Sequence, residues 1–318
     1  MNPTTRRKAG GSAVSVVIPA YNYATFLPRA VGSVLAQSHR ALEIIIVDDG
    51  STDDTPAVCA SFTDPRVQTV TQANAGLSAA RNTGIRAARH DFVAFLDADD
   101  AWEPEFLARI LARFDELSPR HGAVATAAAR IDPAGDIVPG ARFTFGRSGE
   151  LTVLDFCLRN RPLSSNIVLR REVFADCGDF DTGLRSSEDR DMWIRLTARG
   201  WRFEFLDEPL ARICRHSCNM SRNAPRMKTN SLRVLAGARA AAALPRWSPV
   251  WLKVFSVHYF QAAWTHYDDG CKPRAFGYLL ASWLLWPCFF DPVRISEPPL
   301  FRLRTFARFL INLFHRRK

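Results

Sequence analysis

The stretch VSVVIPAYN, residues 14–22, decides the fold. Its first five residues are apolar and mostly β-branched, interrupted only by Ser15, and the polar cluster PAYN follows directly. A continuous apolar run of this length is typical of a strand covered on both faces, as in a parallel sheet. We therefore predict a buried strand over residues 14–20, with the polar cluster at its carboxyl end.

The same pattern recurs further along the chain. LEIIIVDDGS (42–51) and DFVAFLDADD (91–100) are apolar runs that end in acidic residues. A weaker strand is predicted at 66–72 and a further one at 122–130. Helical stretches lie at 26–37, 51–62, 76–88 and 103–117. Alternating strands and helices predict an α/β fold, with a mainly parallel sheet flanked by helices, followed from about 140 to 215 by mixed α+β structure.

Three polar clusters are predicted to meet at one rim of this sheet, where ligands of such folds bind. The cluster of Asp97, Asp99 and Asp100 is the most unusual of them, because closely spaced carboxylates repel one another. A divalent cation compensates that repulsion, and oxygen ligands suit Mg²⁺ or Mn²⁺. The alternative is helix capping, with Asp100 and Glu103 as a capping box. We predict a metal site at Asp97 and Asp99 and a helix cap at Asp100.

Two further positions carry polar chemistry near the rim. Asp48 and Asp49 follow the second strand, where a carboxylate can accept hydrogen bonds from a nucleobase or ribose; the alternative is a turn with a helix cap. Arg81 lies on a helix after the loop NAG, where its charge can face a diphosphate. An exposed helix arginine is the alternative for Arg81.

The last two motifs are SSEDRDMWIRL (186–196) and RICRHSCNMS (212–221). The first has three acids in what reads as a first helical turn, which the helix dipole favours. One of these carboxylates can instead act as a general base toward a hydroxyl nucleophile. In the second motif, His216 follows Arg212 and Arg215, so it contacts phosphate or a metal, or is structural.

Composition limits the class of protein. The 318 residues are 47% hydrophobic and carry a formal net charge of +10, which suggests an anionic partner: nucleic acid, phosphorylated small molecules or an acidic membrane. The seven cysteines are scattered and form no CxxC pair, which indicates reduced thiols rather than a zinc site or a disulfide framework. No secretory signal and no spanning helix is predicted, so we expect a cytoplasmic protein.

Helices dominate the last third. They are predicted at 227–243, 248–266, 274–287 and 299–315. We divide the chain into a flexible basic N-terminus (1–12), an α/β domain (13–222) and a helical C-terminal region (223–318). The final helix is basic and amphipathic, which favours peripheral contact with the anionic inner face of the plasma membrane. Packing on the protein, with the arginines in water, is the alternative.

Taken in order, five motifs resemble glycosyltransferase family 2, whose members are inverting enzymes of the type A glycosyltransferase (GT-A) fold. They are VSVVIPAYN, VDDGSTDDT, NAGLSAARNTGI, FLDADD and SSEDRDMWIRL, and the resemblance covers residues 14–216. It implies a nucleotide-diphospho-sugar donor, a saccharide or lipid-linked acceptor, Mn²⁺ or Mg²⁺ as cofactor, and a part in bacterial cell-surface polysaccharide synthesis.

The resemblance also implies residue roles. Asp189 matches the catalytic base, and Asp99 matches the direct metal ligand, with His216 completing the metal or diphosphate site. The donor-binding positions are Pro19, Ala20, Tyr21, Asp49, Arg81 and Asp97. None of the four glutamines begins the QxxRW motif of processive synthases, which favours addition of a single sugar.

The sequence leaves three other functions open. They are a nucleotidyltransferase or another nucleotide-binding α/β protein, a nucleic-acid-binding module, and an inactive homologue. The first would carry a glycine-rich phosphate loop after the first strand, where this chain has PAYNYA. The second would spread basic residues over the first half, whose motifs are instead acidic, so we expect no nucleic acid partner. The intact set of Asp49, Asp99 and Asp189 argues against the third.

Overall fold

A computed structural model describes residues 11–159, 161–216, 224–240, 249–268 and 270–286, with two further helical positions at 304 and 307. Nearly all of the predicted N-terminal segment 1–12, and the predicted helix 299–315 apart from those two positions, lie outside the described residues. The chain divides into two compact units, Met1–Thr152 with Asn160–Asn219, and Val153–Arg159 with Met220–Lys318. The domain bounds at 12/13 and 222/223 stay predictions.

The first unit begins with the predicted alternation of strands and helices. Its elements are β1 (Val14–Ala20), α1 (Leu27–Leu35), β2 (Leu42–Asp48), α2 (Thr55–Ser61), β3 (Val67–Thr71), α3 (Leu77–Ala87) and β4 (Phe92–Phe95). Every residue of β1, β2 and β4 is buried, as their apolar runs predict. β1 pairs in parallel with both β2 and β4, and β2 pairs in parallel with β3.

The second half of this unit completes the sheet. Its elements are β5 (Ala101–Trp102), α4 (Phe106–Glu116), β6 (His121–Ile131), β7 (Ile137–Phe143), β8 (Gly149–Leu151), β9 (Ile167–Arg170), α6 (Glu172–Cys177), α7 (Glu188–Ala198) and β10 (Arg202–Cys214), with a 3-10 turn at Ser164–Asn166. The helix α5 (Val153–Leu158) belongs to the second unit.

The strand order is β3-β2-β1-β4-β9-β6-β10-β5, with β7 on β6 and β8 on β10. β9 is antiparallel to both β4 and β6, so β6 runs in the direction of β4, and β10 is parallel to β6. Of the ten strands in the described residues, six therefore share one direction: β1, β2, β3, β4, β6 and β10. The predicted α/β class, with a mainly parallel sheet between helices, is confirmed.

Helices cover both faces of the sheet. Val16 and Ile18 share one core cluster with the apolar faces of α1 and α4, whose buried residues recur at helical spacing. Val17 points to the opposite face, as alternation along a strand requires. There α3 approaches so closely that a Cβ on Gly84 would collide with the Val17 side chain. The carboxyl ends of β1, β2 and β4 lie at the same edge of the sheet, because these strands are parallel, and this edge is the rim.

The second unit contains α5 together with α8 (Ala224–Ala240), α9 (Pro249–Asp268) and α10 (Lys272–Leu285). α9 and α10 pack through small and aromatic residues, and Ser256 and Ser282 exchange hydrogen bonds, each Oγ donating to the other's carbonyl at 2.7 and 2.8 Å. The three helices predicted between 227 and 287 are confirmed to within a few residues. Among the described helices, none has the length and apolarity that crossing a bilayer requires.

Candidate active site

Asp99 and His216 meet at the rim. β5 runs antiparallel to β10, with Ala101 opposite Arg212, so the residues just before β5 lie against those just after β10. His216 Nε2 lies 3.0 Å from Asp99 Oδ2, and both side chains are only 8% exposed. The imidazole stacks on Phe26, with ring centroids 4.9 Å apart. The strand pairing thus joins two predicted metal ligands that are far apart in sequence.

The chemistry of this pair fits a divalent cation. Burial raises the pKa of Asp99, and the negative charge of Asp97 raises it further. The surrounding protein therefore stabilises the ionised carboxylate too little, and a bound cation would stabilise it. In the part of the chain that the structure describes, no cluster of three or more His, Cys, Asp or Glu side chains is suited to hold a metal. A cation here would therefore take Asp99 and His216 from the protein and fill its remaining positions with donor phosphates and water.

Arg81 is buried and binds two carboxylates. Its Nη2 donates to Asp97 Oδ1 and its Nη1 to Glu188 Oε1, each at 2.7 Å. Burial alone would lower the pKa of Arg81, but Asp97 and Glu188 outweigh it, and the net shift is upward. The alternative of an exposed helix arginine is wrong. The role of Arg81 toward a donor stays a prediction, and its observed contacts connect the loop after β4 to the start of α7.

Asp100 does not cap α4. That helix begins at Phe106, its N-terminal flanking residue is Glu105, and no side chain caps it. The two-residue strand β5 intervenes, which separates Asp100 from the helix start. Asp100 Oδ1 instead accepts the backbone N–H of Cys214 at 2.8 Å, tying the rim loop to β10. Burial, and then its acidic neighbours, raises its pKa well above the usual value. The predicted capping box is therefore wrong.

Asp189 is a buried carboxyl at the first turn of α7. The preceding Ser187 has a left-handed backbone (φ 62°), which turns the chain sharply into the helix. Asp189 Oδ1 accepts the Arg190 backbone N–H at 2.7 Å. Burial, and then the charge of Glu188, raises the pKa of Asp189 to about 7. A carboxyl with such a pKa exchanges a proton readily at neutral pH, which a general base requires.

Asp49 organises the other end of the rim. Its Oδ1 accepts hydrogen bonds from Gln72 Nε2 at 2.7 Å and from the Ala75 N–H at 2.9 Å, and its Oδ2 accepts the Gly76 N–H at 2.8 Å. It thereby holds the loop that leads into α3. The positive φ of Gly76, 91°, suits glycine at this entry.

The remaining predicted donor positions lie at the end of β1. Pro19 and Ala20 are buried within the strand, and Tyr21, just beyond it, is 44% exposed. Ala20 pairs with Asp48, which places this strand end beside Asp49. All the residues predicted for the site thus lie in the first unit. Their roles stay predictions.

Two side chains that the sequence reasoning did not assign support the site. Arg29 donates from Nη2 to the Asp99 carbonyl at 2.8 Å and from Nη1 to the Pro133 carbonyl at 3.0 Å, which fixes the backbone at the metal-binding candidate. No pattern around Arg29 signals this contact. Glu188 is one of the three acids of the motif at 186–196, and its pairing with Arg81 depends on tertiary structure.

The family model described as glycosyl transferase family 2 matches residues 15–178. The chain belongs to this family. The predicted membership in a family of transferases is therefore confirmed. The matched range includes Asp49, Arg81 and Asp99 but ends before Asp189 and His216, whose assignments rest on the geometry above and on the motifs.

Curated relatives match over part of their length. An uncharacterized glycosyltransferase of Nostoc sp. is 48% identical over 104 residues, 32% of each chain. The succinoglycan biosynthesis protein ExoO of Rhizobium meliloti is 43% identical over 116 residues, 36% of this chain and 33% of the relative. Chondroitin synthase of Escherichia coli is 32% identical over 191 residues, 59% of this chain and 27% of that protein. The matches span a third or less of these relatives.

Solved structures match over nearly the whole chain. The mannosyltransferase PcManGT from Pyrobaculum calidifontis, in complex with GDP-Man and Mn²⁺, has a TM-score of 0.63 at 20% identity, covering 95% of this chain and 87% of its own. S. aureus TarS 1–349 in complex with UDP-GlcNAc has a TM-score of 0.59 at 18% identity, covering 96% and 93%. At these identities the likeness shows the fold, and the predicted GT-A-like fold is confirmed.

Proposed function

We propose that the protein is an inverting glycosyltransferase that moves one sugar from a nucleotide-diphosphate donor to a hydroxyl of a saccharide or lipid-linked acceptor. The observation that carries this proposal is the position of Asp189, a buried carboxyl in the first turn of α7, whose neighbour Glu188 is joined through Arg81 to Asp97. Such a carboxyl accepts the proton of an attacking hydroxyl at neutral pH.

The donor would lie along the rim from Asp49 to Asp99. The loop that Asp49 holds and the exposed ring of Tyr21 suit a nucleobase and ribose. Two structural relatives bind GDP-Man and UDP-GlcNAc, which supports a nucleotide sugar as the class of donor. Transfer of a single sugar per encounter stays a prediction from the sequence.

Asp99 and His216 would hold Mn²⁺ or Mg²⁺, which when bound neutralises charge on the diphosphate leaving group. Arg81 keeps the Asp97 carboxylate in place through its 2.7 Å contact, so the loop after β4 retains one shape. Asp189 takes the proton from the acceptor hydroxyl. The oxygen attacks the anomeric carbon on the face opposite the diphosphate, and the configuration at that carbon inverts.

The cellular setting is also a proposal. Relatives such as ExoO support a part in polysaccharide biosynthesis. The described residues include reduced thiols, buried at Cys59, Cys157, Cys177 and Cys214 and exposed at Cys271, which supports a reducing, cytoplasmic environment. Peripheral contact with an anionic membrane rests on the basic C-terminal segment, most of which lies outside the described residues.

A panel of nucleotide sugars, each with and without Mn²⁺, tests the function. We expect one donor to raise the melting temperature in a metal-dependent way and to be consumed when acceptors are added. NMR of the product should show an anomeric configuration opposite to that of the donor. Retention of configuration would contradict inversion. Binding of nucleoside triphosphates with release of pyrophosphate, and no sugar transfer, would favour a nucleotidyltransferase instead.

A further inference from the structure

Ser165 contacts both ends of the turn that carries Asp99. The turn is closed by the Asp100 N–H, which donates to the Asp97 carbonyl at 3.0 Å. The Oγ of Ser165 accepts the backbone N–H of Asp97 at 3.0 Å, and the same hydroxyl is a hydrogen-bond partner of the Asp100 carboxyl. A serine hydroxyl can make both contacts at once, because its oxygen accepts one hydrogen bond while its hydrogen is donated in another.

Strand pairing explains why Ser165 reaches this turn. β9 is antiparallel to β4, with Ala94 opposite Val168. Continuing that register beyond the end of β4 places Ser165 opposite Asp97. The contact extends past the turn, since the Ser165 carbonyl accepts a hydrogen bond at 2.6 Å from Trp102 Nε1. The short turn before β9 therefore lies beside the loop after β4, at the rim of the sheet.

The segment that carries Ser165 is itself held on two sides. Asn166 Nδ2 donates to the Thr126 carbonyl on β6. On the other side, Trp193 Nε1 of α7 donates to the Pro162 carbonyl at 3.0 Å. Ser165 thus belongs to a support fixed by a central strand and by the helix that carries the candidate base, and a fixed support can define the position of the loop that contacts it.

The turn needs such a support because of its own charge. Asp97, Asp99 and Asp100 are three acids within four residues, and their mutual repulsion favours a looser arrangement in which Asp99 moves away from His216. Ser165 opposes this loosening, since it fixes the backbone at the first residue of the turn and the carboxyl at the last.

We propose that Ser165 is a positioning residue for the candidate cation site, keeping the turn Asp97–Asp100 in the shape in which Asp99 and His216 can hold a divalent cation together. The inference rests on the proposed function and adds to it a residue that lies outside the five motifs. Because its side chain is fully buried, Ser165 acts through the turn and touches neither the cation nor the donor.

The test begins with Ser165→Ala, which removes only the hydroxyl. We expect the Mn²⁺ affinity of the full chain, measured by EPR with UDP or GDP present, to fall about tenfold. Ser165→Thr keeps the hydroxyl and should retain more of the affinity. A second measurement needs no metal: hydrogen exchange followed by mass spectrometry should be faster in the peptide that contains Asp97, whose N–H loses its acceptor in the alanine variant.

Two serines provide matched controls. Ser164 is buried in the same turn, and its Oγ has no hydrogen-bond partner among the described residues, so Ser164→Ala should change neither measurement. Ser15 lies near the start of β1, where its Oγ donates to Glu43 at 2.6 Å and accepts the His90 N–H at 3.1 Å. Ser15→Ala therefore loses the same two kinds of contact far from the rim, and should lower the melting temperature without changing Mn²⁺ affinity.

Unchanged Mn²⁺ affinity in Ser165→Ala overturns the proposal, and so does an equal loss in either control, which would indicate a general loss of stability. If Ser165→Ala does not fold, Ser165→Cys keeps the size of the side chain and weakens its hydrogen bonds, so it should show a smaller loss in the same direction. A wild-type chain that binds neither Mn²⁺ nor any nucleotide sugar would contradict the proposed function instead. Hydrogen exchange separates the two failures, because it reports on the turn without metal or donor.

Discussion

Arg81 and Glu188 form a buried ion pair, with Nη1 2.7 Å from Oε1, although 107 positions separate them along the chain. The arginine side chain is 2% exposed and the glutamate side chain 6%. The same guanidinium holds Asp97 at 2.7 Å. One cation on α3 therefore fixes both the loop after β4 and the first turn of α7, which are the two elements that carry Asp99 and Asp189.

Removing this cation should destabilise the protein strongly. Arg81→Ala leaves the buried Glu188 carboxylate without its cation, and we expect a loss of about 3–5 kcal/mol in the free energy of unfolding. Arg86→Ala is the matched control on the same helix, because Arg86 is exposed and lies 3.7 Å from Asp179. It should cost under about 1 kcal/mol. Urea unfolding measures both, and equal losses would contradict the structural role of Arg81.

Asp189→Asn should abolish transfer while leaving donor binding intact. An amide cannot take a proton, so we expect kcat to fall by about 10²–10⁴-fold. In the wild type, kcat should rise with pH up to about 7 and then level off, because the base must be ionised. Asp191→Asn, in the same helical turn but paired with Arg195, is the control and should retain that profile. An unchanged kcat in Asp189→Asn would refute the assignment.

The same carboxyl should make stability depend on pH. The folded-state pKa of Asp189, about 7, lies above its ordinary value of 3.8, so folding favours the protonated form. Its contribution is fully present below pH 3.8 and is lost as the pH rises through 7. The difference in unfolding free energy between wild type and Asp189→Asn should change by on the order of 4 kcal/mol across this window, in favour of the variant at high pH. Chemical unfolding at a series of pH values measures it, and a constant difference would contradict the raised pKa.

Asp99→Asn and His216→Ala should each weaken metal binding. The two side chains would supply a pair of ligand atoms 3.0 Å apart, so loss of either would leave a single protein ligand. We expect Mn²⁺ affinity, followed by EPR on the protein with nucleotide present, to fall on the order of tenfold or more. His90→Ala is the control, since His90 lies near Glu43 and away from this pair. Unaltered Mn²⁺ affinity in both site variants would exclude this pair as the metal site.

Gly84→Ala should destabilise the contact between α3 and β1, because its new methyl group would collide with Val17. We expect a loss of about 1–3 kcal/mol, largely recovered in the double variant with Val17→Ala. Gly32→Ala, on α1, has open space around the added carbon and should be neutral or stabilising by up to about 1 kcal/mol. Thermal unfolding of the four proteins tests this. A double variant no better than Gly84→Ala alone would contradict the proposed collision.

The sequence predicted those strands and helices whose pattern of apolar residues lies within the element itself. The apolar runs of β1 and β2 are typical of strands buried on both faces, and α4 has apolar residues at helical spacing. The polar end of β1 and the acidic end of β2 then identified the rim.

What the sequence missed depends on tertiary contacts. β5 has only two residues, Ala101–Trp102, and it forms because β10 lies beside it, so the capping prediction for Asp100 was wrong. Likewise, the local sequence around Arg81 does not indicate whether its side chain is exposed to water or paired with two carboxylates. The partner that decides the matter, Glu188, comes from another helix.

The position of β9 affects the risk of aggregation while the chain is being synthesised. β1 to β4 can pair as soon as they are made, but β6 joins them only through β9, which is antiparallel to both β4 and β6. Until Ile167–Arg170 has been synthesised, the apolar strand β4 keeps an unpaired edge, the kind of surface that recruits other chains into aggregates. We therefore expect a truncated product that ends before β9 to aggregate more readily than the full chain.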